Sequence, residues 1–131
     1  MIETNLVALL LADEGVSALI SDRLLAVYLP ENRVYPTATY QVVSGLSART
    51  QQPGDVIRTK RVQIDCWSDR YSEAKCVEQA IMSALDGFTG CFEDGTRVIG
   101  CFRTTTIDHF DTAPRLYRVM NEYEIQYSDP S

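Results

Sequence analysis

Hydrophobic residues return to one helical face in three places along the chain and alternate with polar residues in the segments between. Thr4 is placed to cap a first helix over about Asn5 to Ala12, where Leu6, Leu9 and Leu10 fall on one face. Asp13-Glu14-Gly15 interrupts it, and a short second helix from Val16 to Ile20 carries Val16, Leu19 and Ile20 as its apolar stripe. From Leu24 to Tyr35 the pattern is irregular, with Pro30 and Pro36 imposing extended or turning backbone. The β-branched and aromatic run Thr39 to Val43 predicts a strand that ends at Ser44-Gly45. A polar loop then follows to Asp55, with Pro53-Gly54 as its turn signal.

The second half of the chain is more regular. Val62, Ile64 and Cys66 alternate with Arg61, Gln63 and Asp65, the period of a strand with one buried and one wet face. Ser68 or Asp69 starts the main helix, which presents Ala74, Val77, Ile81, Ala84 and Leu85 to the core. Glu73 lies near its positive end, and Gly87 terminates it. Asp94-Gly95 predicts a hairpin joining Cys91-Phe92-Glu93 to Thr96-Arg97-Val98, whose second arm runs to about Ile107. A polar connection, Asp108 to Pro114, leads to a last strand with Tyr117, Val119, Tyr123, Ile125 and Tyr127 on one face and Arg118, Glu122, Glu124 and Gln126 on the other. Ser128 to Ser131 reads as a frayed end. The expected class is α+β: an antiparallel twisted sheet of about four to five strands with two or three helices packed on it, forming one domain over residues 1–131. Its core should include Leu9, Leu10, Val62, Ile64, Val77, Ile81, Leu85, Val119 and Ile125.

Charge narrows the function. The net charge is −6, from 12 basic and 18 acidic residues, whereas a protein that wraps nucleic acid needs a basic excess. An acidic wall would instead let DNA slide past. Arg49, Arg58, Lys60 and Arg61 form a local basic excess offset only by Asp55, a candidate contact for an acidic partner against the plainer reading of a solvated hairpin. Trp67 stands on the opposite parity from Val62, Ile64 and Cys66, so it is expected on the outer face, at an interface or under a neighbouring loop. The apolar run Leu6 to Ala12 is too short to span a bilayer and follows Glu3 rather than basic residues. The expectation is therefore a protein made in a cytoplasm, with no membrane partner.

Little in the sequence suggests catalysis. Cys66, Cys76, Cys91 and Cys101 lack the close pairing of structural zinc sites and read as reduced, mostly buried thiols. Asp108-His109-Phe110-Asp111 could orient a histidine base, but Gly-x-Ser-x-Gly, phosphate-binding glycine loops and calcium loops are absent. A solvated connection is the plainer reading, and no cofactor or metal is expected.

Several segments together resemble the small tail-completion, or tail-terminator, proteins of siphophages and prophages. They are Gly15 to Arg23 after a leucine-rich helix, Pro36 to Tyr40, the Ser-Gly and polar loop, Val62 to Trp67, Tyr71 to Ala74, and Arg115 to Val119. The resemblance implies a structural virion protein, assembled in the bacterial host cytoplasm, that caps the tail tube as a ring, usually hexameric. It would end tube polymerisation and offer a joining surface to the head connector, with double-stranded DNA passing through the lumen without specific binding. It also implies no catalytic residue. The candidate interface residues are Arg49, Gln51, Gln52, Asp55, Arg58, Lys60, Arg61 and Trp67, with Ser44 to Ile57 as a mobile loop at the lumen or tube. Another head–tail connector or minor tail component is the alternative. A small ligand-binding domain or enzyme would instead require a pocket of convergent polar groups.

Overall fold

The computed structural model describes residues 2–27, 29, 34–49, 56–112 and 115–128. Its N-terminal helix α1 (Ile2–Ala12) begins before Thr4 and buries Ile2, Leu6 and Leu10. The four-residue spacing of those three sets the buried stripe, so Leu9 lies half-buried at its margin rather than in its centre. Asp13 separates α1 from α2 (Glu14–Ile20) and caps α2 by accepting the Val16 N–H at 3.0 Å. Val16 and Ile20 are buried, as their spacing predicts.

Among the described residues six strands follow: β1 (Leu24–Ala26), β2 (Thr37–Arg49), β3 (Val56–Ser68), β4 (Gly90–Cys91), β5 (Arg97–Thr112) and β6 (Arg115–Ser128). They form one curled, half-barrel sheet in the order β1-β2-β3-β6-β5-β4. Every neighbouring pair is antiparallel except β1 and β2, which are parallel. The class is α+β, as expected, with β1 an addition from the segment expected to be irregular.

Helix α3 (Tyr71–Leu85) lies between β3 and β4 in the chain. Ser68 prepares its start: its hydroxyl accepts the Arg70 N–H at 3.0 Å and donates to Glu73 at 2.7 Å. Ala74, Val77, Ile81 and Leu85 are buried, and Gly87 ends the helix with φ +82°. The Asp94-Gly95 turn forms as predicted: Gly95 takes φ +92°, and Asp94 accepts the Thr96 N–H at 3.0 Å.

The helices cover one face of the sheet. One cluster joins Ile2, Leu6, Leu10, Val16 and Ile20 to Val62, Ile64 and Cys66, to α3, and to Val119, Tyr123, Ile125 and Tyr127. Inside it, Arg103 of β5 pairs with Glu78, whose side chain is 4% exposed, and this fixes α3 against the sheet.

Three expectations are corrected. Ser44-Gly45 does not end a strand: Val43 is accommodated as a bulge, and β2 continues to Arg49, pairing with β3 at Ala48↔Ile57 and Arg49↔Val56. Residues 44–49 and 56–57 are therefore hairpin arms, not loop. Asp108 to Thr112 are not a connection but the end of β5, opposite Arg115 to Val119. Ser128 ends β6 rather than a frayed tail.

Candidate assembly surfaces

Across β3 and β6 the sheet face away from the helices is mostly polar, with Phe102 and Ile107 exposed on its β5 side, and among the described residues no helix or second sheet covers it. Period-two alternation puts Arg61, Gln63, Asp65 and Trp67 of β3 on it, beside Arg118, Met120, Glu122 and Glu124 of β6. Trp67 is on this face, as its parity predicts. Its indole N–H donates to Thr39 Oγ1 at 3.0 Å, and the Arg118 guanidinium lies 5.0 Å from the ring centroid, within cation–π range. Asp65 is buried nearby and accepts from Gln63 Nε2 at 3.0 and 3.1 Å. Burial pushes its carboxyl above the usual aspartate value, against the opposing pull of Gln63 and Arg118. Thr39, Gln63, Asp65, Trp67 and Arg118 help to line a hollow of about 290 Å³.

Arg58, Lys60 and Arg61 do not form one patch. Arg58 and Lys60 share the helix-side parity of Val62, while Arg61 faces the opposite way. Lys60 is held within its own chain by an ion pair with Glu3 of α1. Burial alone would lower the Lys60 pKa, but the hydrogen bond to Glu3 and the proximity of Tyr127 more than offset it, and the net shift is upward. Arg61, with its side chain 49% exposed, lies 3.8 Å from both Glu122 and Glu124. Asp55 is thus not the only acidic counterpart of this segment. Arg49 ends β2; Gln51, Gln52 and Asp55 lie outside the described residues.

At the far end of the β5–β6 hairpin, Phe110 and Tyr71 both pack on Tyr117, with centroids 4.7 and 5.6 Å away. The Tyr71 hydroxyl donates to Asp108 at 2.5 Å, and Lys75 Nζ is 3.4 Å from the same carboxylate. That hydrogen bond and the lysine hold the Asp108 carboxyl below its ordinary value, although desolvation opposes them. His109 and Asp111 lie two residues apart on one strand, 2.8 Å between Nε2 and Oδ1, with His109 exposed. Of the cysteines, Cys66 and Cys101 are buried, but Cys76 and Cys91 are exposed, so half of them depart from the expected burial. Among the described residues no group of three or more His, Cys, Asp or Glu could hold a metal ion, and no helix is long and apolar enough to cross a membrane.

Sequence reasoning missed Glu3, Arg118 and Tyr71 as partners. Arg118 was legible in part, since its outward parity matches that of Trp67. Glu3 and Tyr71 depend on how the helices dock, which no local pattern encodes.

Comparison with known proteins adds to this geometry. Residues 4–128 match the family described as Tail completion protein gp17. A chain from a solved structure titled "Virion of native gene transfer agent (GTA) particle" has a similar fold, with a TM-score of 0.67 over 93% of this chain and 90% of that one, at 14% identity. No curated protein matches.

Proposed function

We propose, from the premise that the chain belongs to the tail completion protein gp17 family, that it is a non-enzymatic virion component that closes the tail tube as a ring. In this reading the whole chain, residues 1–131, acts as one tail-completion domain. Six copies cap the finished tube, stop its polymerisation and present a surface to the head connector. Double-stranded DNA passes through the central hole without specific binding. The protein is made in the bacterial host cytoplasm and resides in the virion, at the tail or neck.

The observation that carries this reading is the family match across residues 4–128. Two physical features support it. Across β3 and β6 the uncovered sheet face is mostly polar and of mixed charge, suited to a wet lumen or a rim contact rather than to a second hydrophobic layer. The β2–β3 hairpin, drawn out to Arg49 and Val56, offers an arm for contact with the tube, and we assign Arg49, Gln51, Gln52, Asp55 and Arg58 to that contact. Arg61 and Trp67 are assigned to the open face at a subunit or tube boundary. Lys60 belongs at the root of the arm, where it braces α1.

Mass measurement and negative-stain imaging of purified protein, alone and with tail tubes, test the proposal. Rings with a central hole that cap tube ends are expected. In a phage lacking the protein, tails should vary in length and fail to join heads. Monomers that ignore tube ends would overturn it.

A further inference from the structure

The two ends of the sheet are unequal, and among the described residues neither edge strand has a strand partner along its full outer side. At one end β4 covers only Arg97 and Val98 of β5. Gly87 donates to the Cys101 carbonyl at 2.7 Å, and the Arg103 N–H donates to Asp86 at 3.0 Å. From Thr104 to Thr112 no further strand lies beyond β5 among the described residues. This stretch, Thr-Thr-Thr-Ile-Asp-His-Phe-Asp-Thr, is rich in β-formers and contains neither proline nor lysine, the usual guards of an exposed edge. Ile107 within it is 51% exposed. At the other end of the sheet, β1 pairs only with β2 among the described residues.

The strand registers bring these two edges to the same level. Leu25 pairs with Thr39, Thr39 with Asp65, Asp65 with Met120, and Met120 with Ile107. The flanking rows run likewise from Leu24 to Asp108 and from Ala26 to Thr106. Counting directions along the sheet, β1 runs opposite to β5. In a cyclic ring every copy keeps its orientation, so β1 of one copy meets β5 of the next antiparallel, the better-bonded arrangement. Leu25 and Ile107 fall on the same face of the sheet, so in such a contact the apolar side chain of one would lie opposite that of the other.

We propose that the β1 edge, Leu24–Ala26, adds to the β5 edge of a second copy at Thr106–Asp108, with Leu25 beside Ile107, so that the sheet continues from subunit to subunit. This rests on the ring reading above and specifies its contact. A second copy is favoured over a foreign strand because the chain itself supplies an edge of matching level, direction and apolar character.

The test uses the full chain with Cys76→Ser and Cys91→Ser, which removes the exposed thiols. Leu25→Cys with Ile107→Cys should give, on oxidation, a ladder of covalent multimers ending at the ring. Leu25→Cys with Asp111→Cys, four residues out of register, should not. Ile107→Lys should leave a folded protein that melts like wild type but has lost ring formation, whereas Ile107→Val should keep it. Rings that form without the matched cross-link and survive Ile107→Lys would overturn this contact while leaving the ring reading standing. Cross-links to the tube protein alone would overturn the choice of partner. A wild-type protein that forms no ring even with tubes would overturn both.

Discussion

Glu3 reaches Lys60 from the first turn of α1, and the ion pair ties the N-terminal helix to the strand that begins the sheet's centre. Its pH dependence follows from the upward shift at Lys60. A raised folded-state pKa means the stabilisation is fully present below the unfolded lysine value, about 10.4, and is lost as pH rises through the folded value. Lys60→Met should cost up to about 1 kcal/mol at neutral pH, since both side chains are only partly buried. It should also flatten the fall of the melting temperature in strongly alkaline buffer; identical slopes for the two proteins would show that the pair contributes nothing. The cysteines separate at the same scale. Burial pushes the Cys101 thiol up to about 12, and the Cys66 thiol up further still. A thiol-specific chromogenic reagent should therefore modify Cys76 and Cys91 quickly in the native protein, and Cys66 and Cys101 only after unfolding. Four fast thiols would contradict the burial of the latter pair.

Among the elements, α3 and α1 show what a hydrophobic stripe does and does not determine. Ile81 sits in the middle of the α3 stripe and is fully buried, so Ile81→Ala should cost about 2–5 kcal/mol in denaturant unfolding. Leu9→Ala should cost clearly less than Leu10→Ala, because Leu9 is half-buried; equal costs would mean that α1 docks in a different rotation. The stripe of α3 was legible because its apolar residues stand on an otherwise polar helix. In α1 the run Leu9-Leu10-Leu11 is apolar all round, and only docking chooses the face. Strand identity was legible wherever alternation was clean, as in β3 and β6. Strand length was not: β2 runs through Ser44-Gly45 because a bulge absorbs the irregularity, and β5 runs through Asp108 to Thr112 because β6 supplies its hydrogen bonds. Both extensions depend on a partner strand rather than on local propensity. The same limit applied to the candidate surface. The outward parity of Trp67 and of Arg118 could be read from their spacing, but the strand register that sets them side by side and the docking of Glu3 on Lys60 could not.

For the whole molecule, the split of the basic segment between two faces separates folding from assembly. Lys60→Glu would place a second carboxylate against Glu3, so its expected effect is on stability: a lower melting temperature in a protein that can still assemble when folded. Arg61→Glu acts on the open face. It would stand beside Glu122 and Glu124 and turn a mixed patch into three adjacent carboxylates. Because the existing 3.8 Å contacts are exposed, the isolated fold should lose at most about 1 kcal/mol. Across a subunit or tube boundary the consequence is larger, since like charges brought together at a contact oppose association and slow encounter. Assembly of the Arg61→Glu protein should therefore weaken, and weaken most at low ionic strength, where screening is least. Ring yield measured across a salt series distinguishes the two substitutions. Recovery of Arg61→Glu rings as salt is raised, with melting close to wild type throughout, places Arg61 at a contact. Wild-type ring yield at every salt concentration, and in a phage wild-type numbers of completed particles, would remove Arg61 from the interface and leave the basic segment with a role in folding alone.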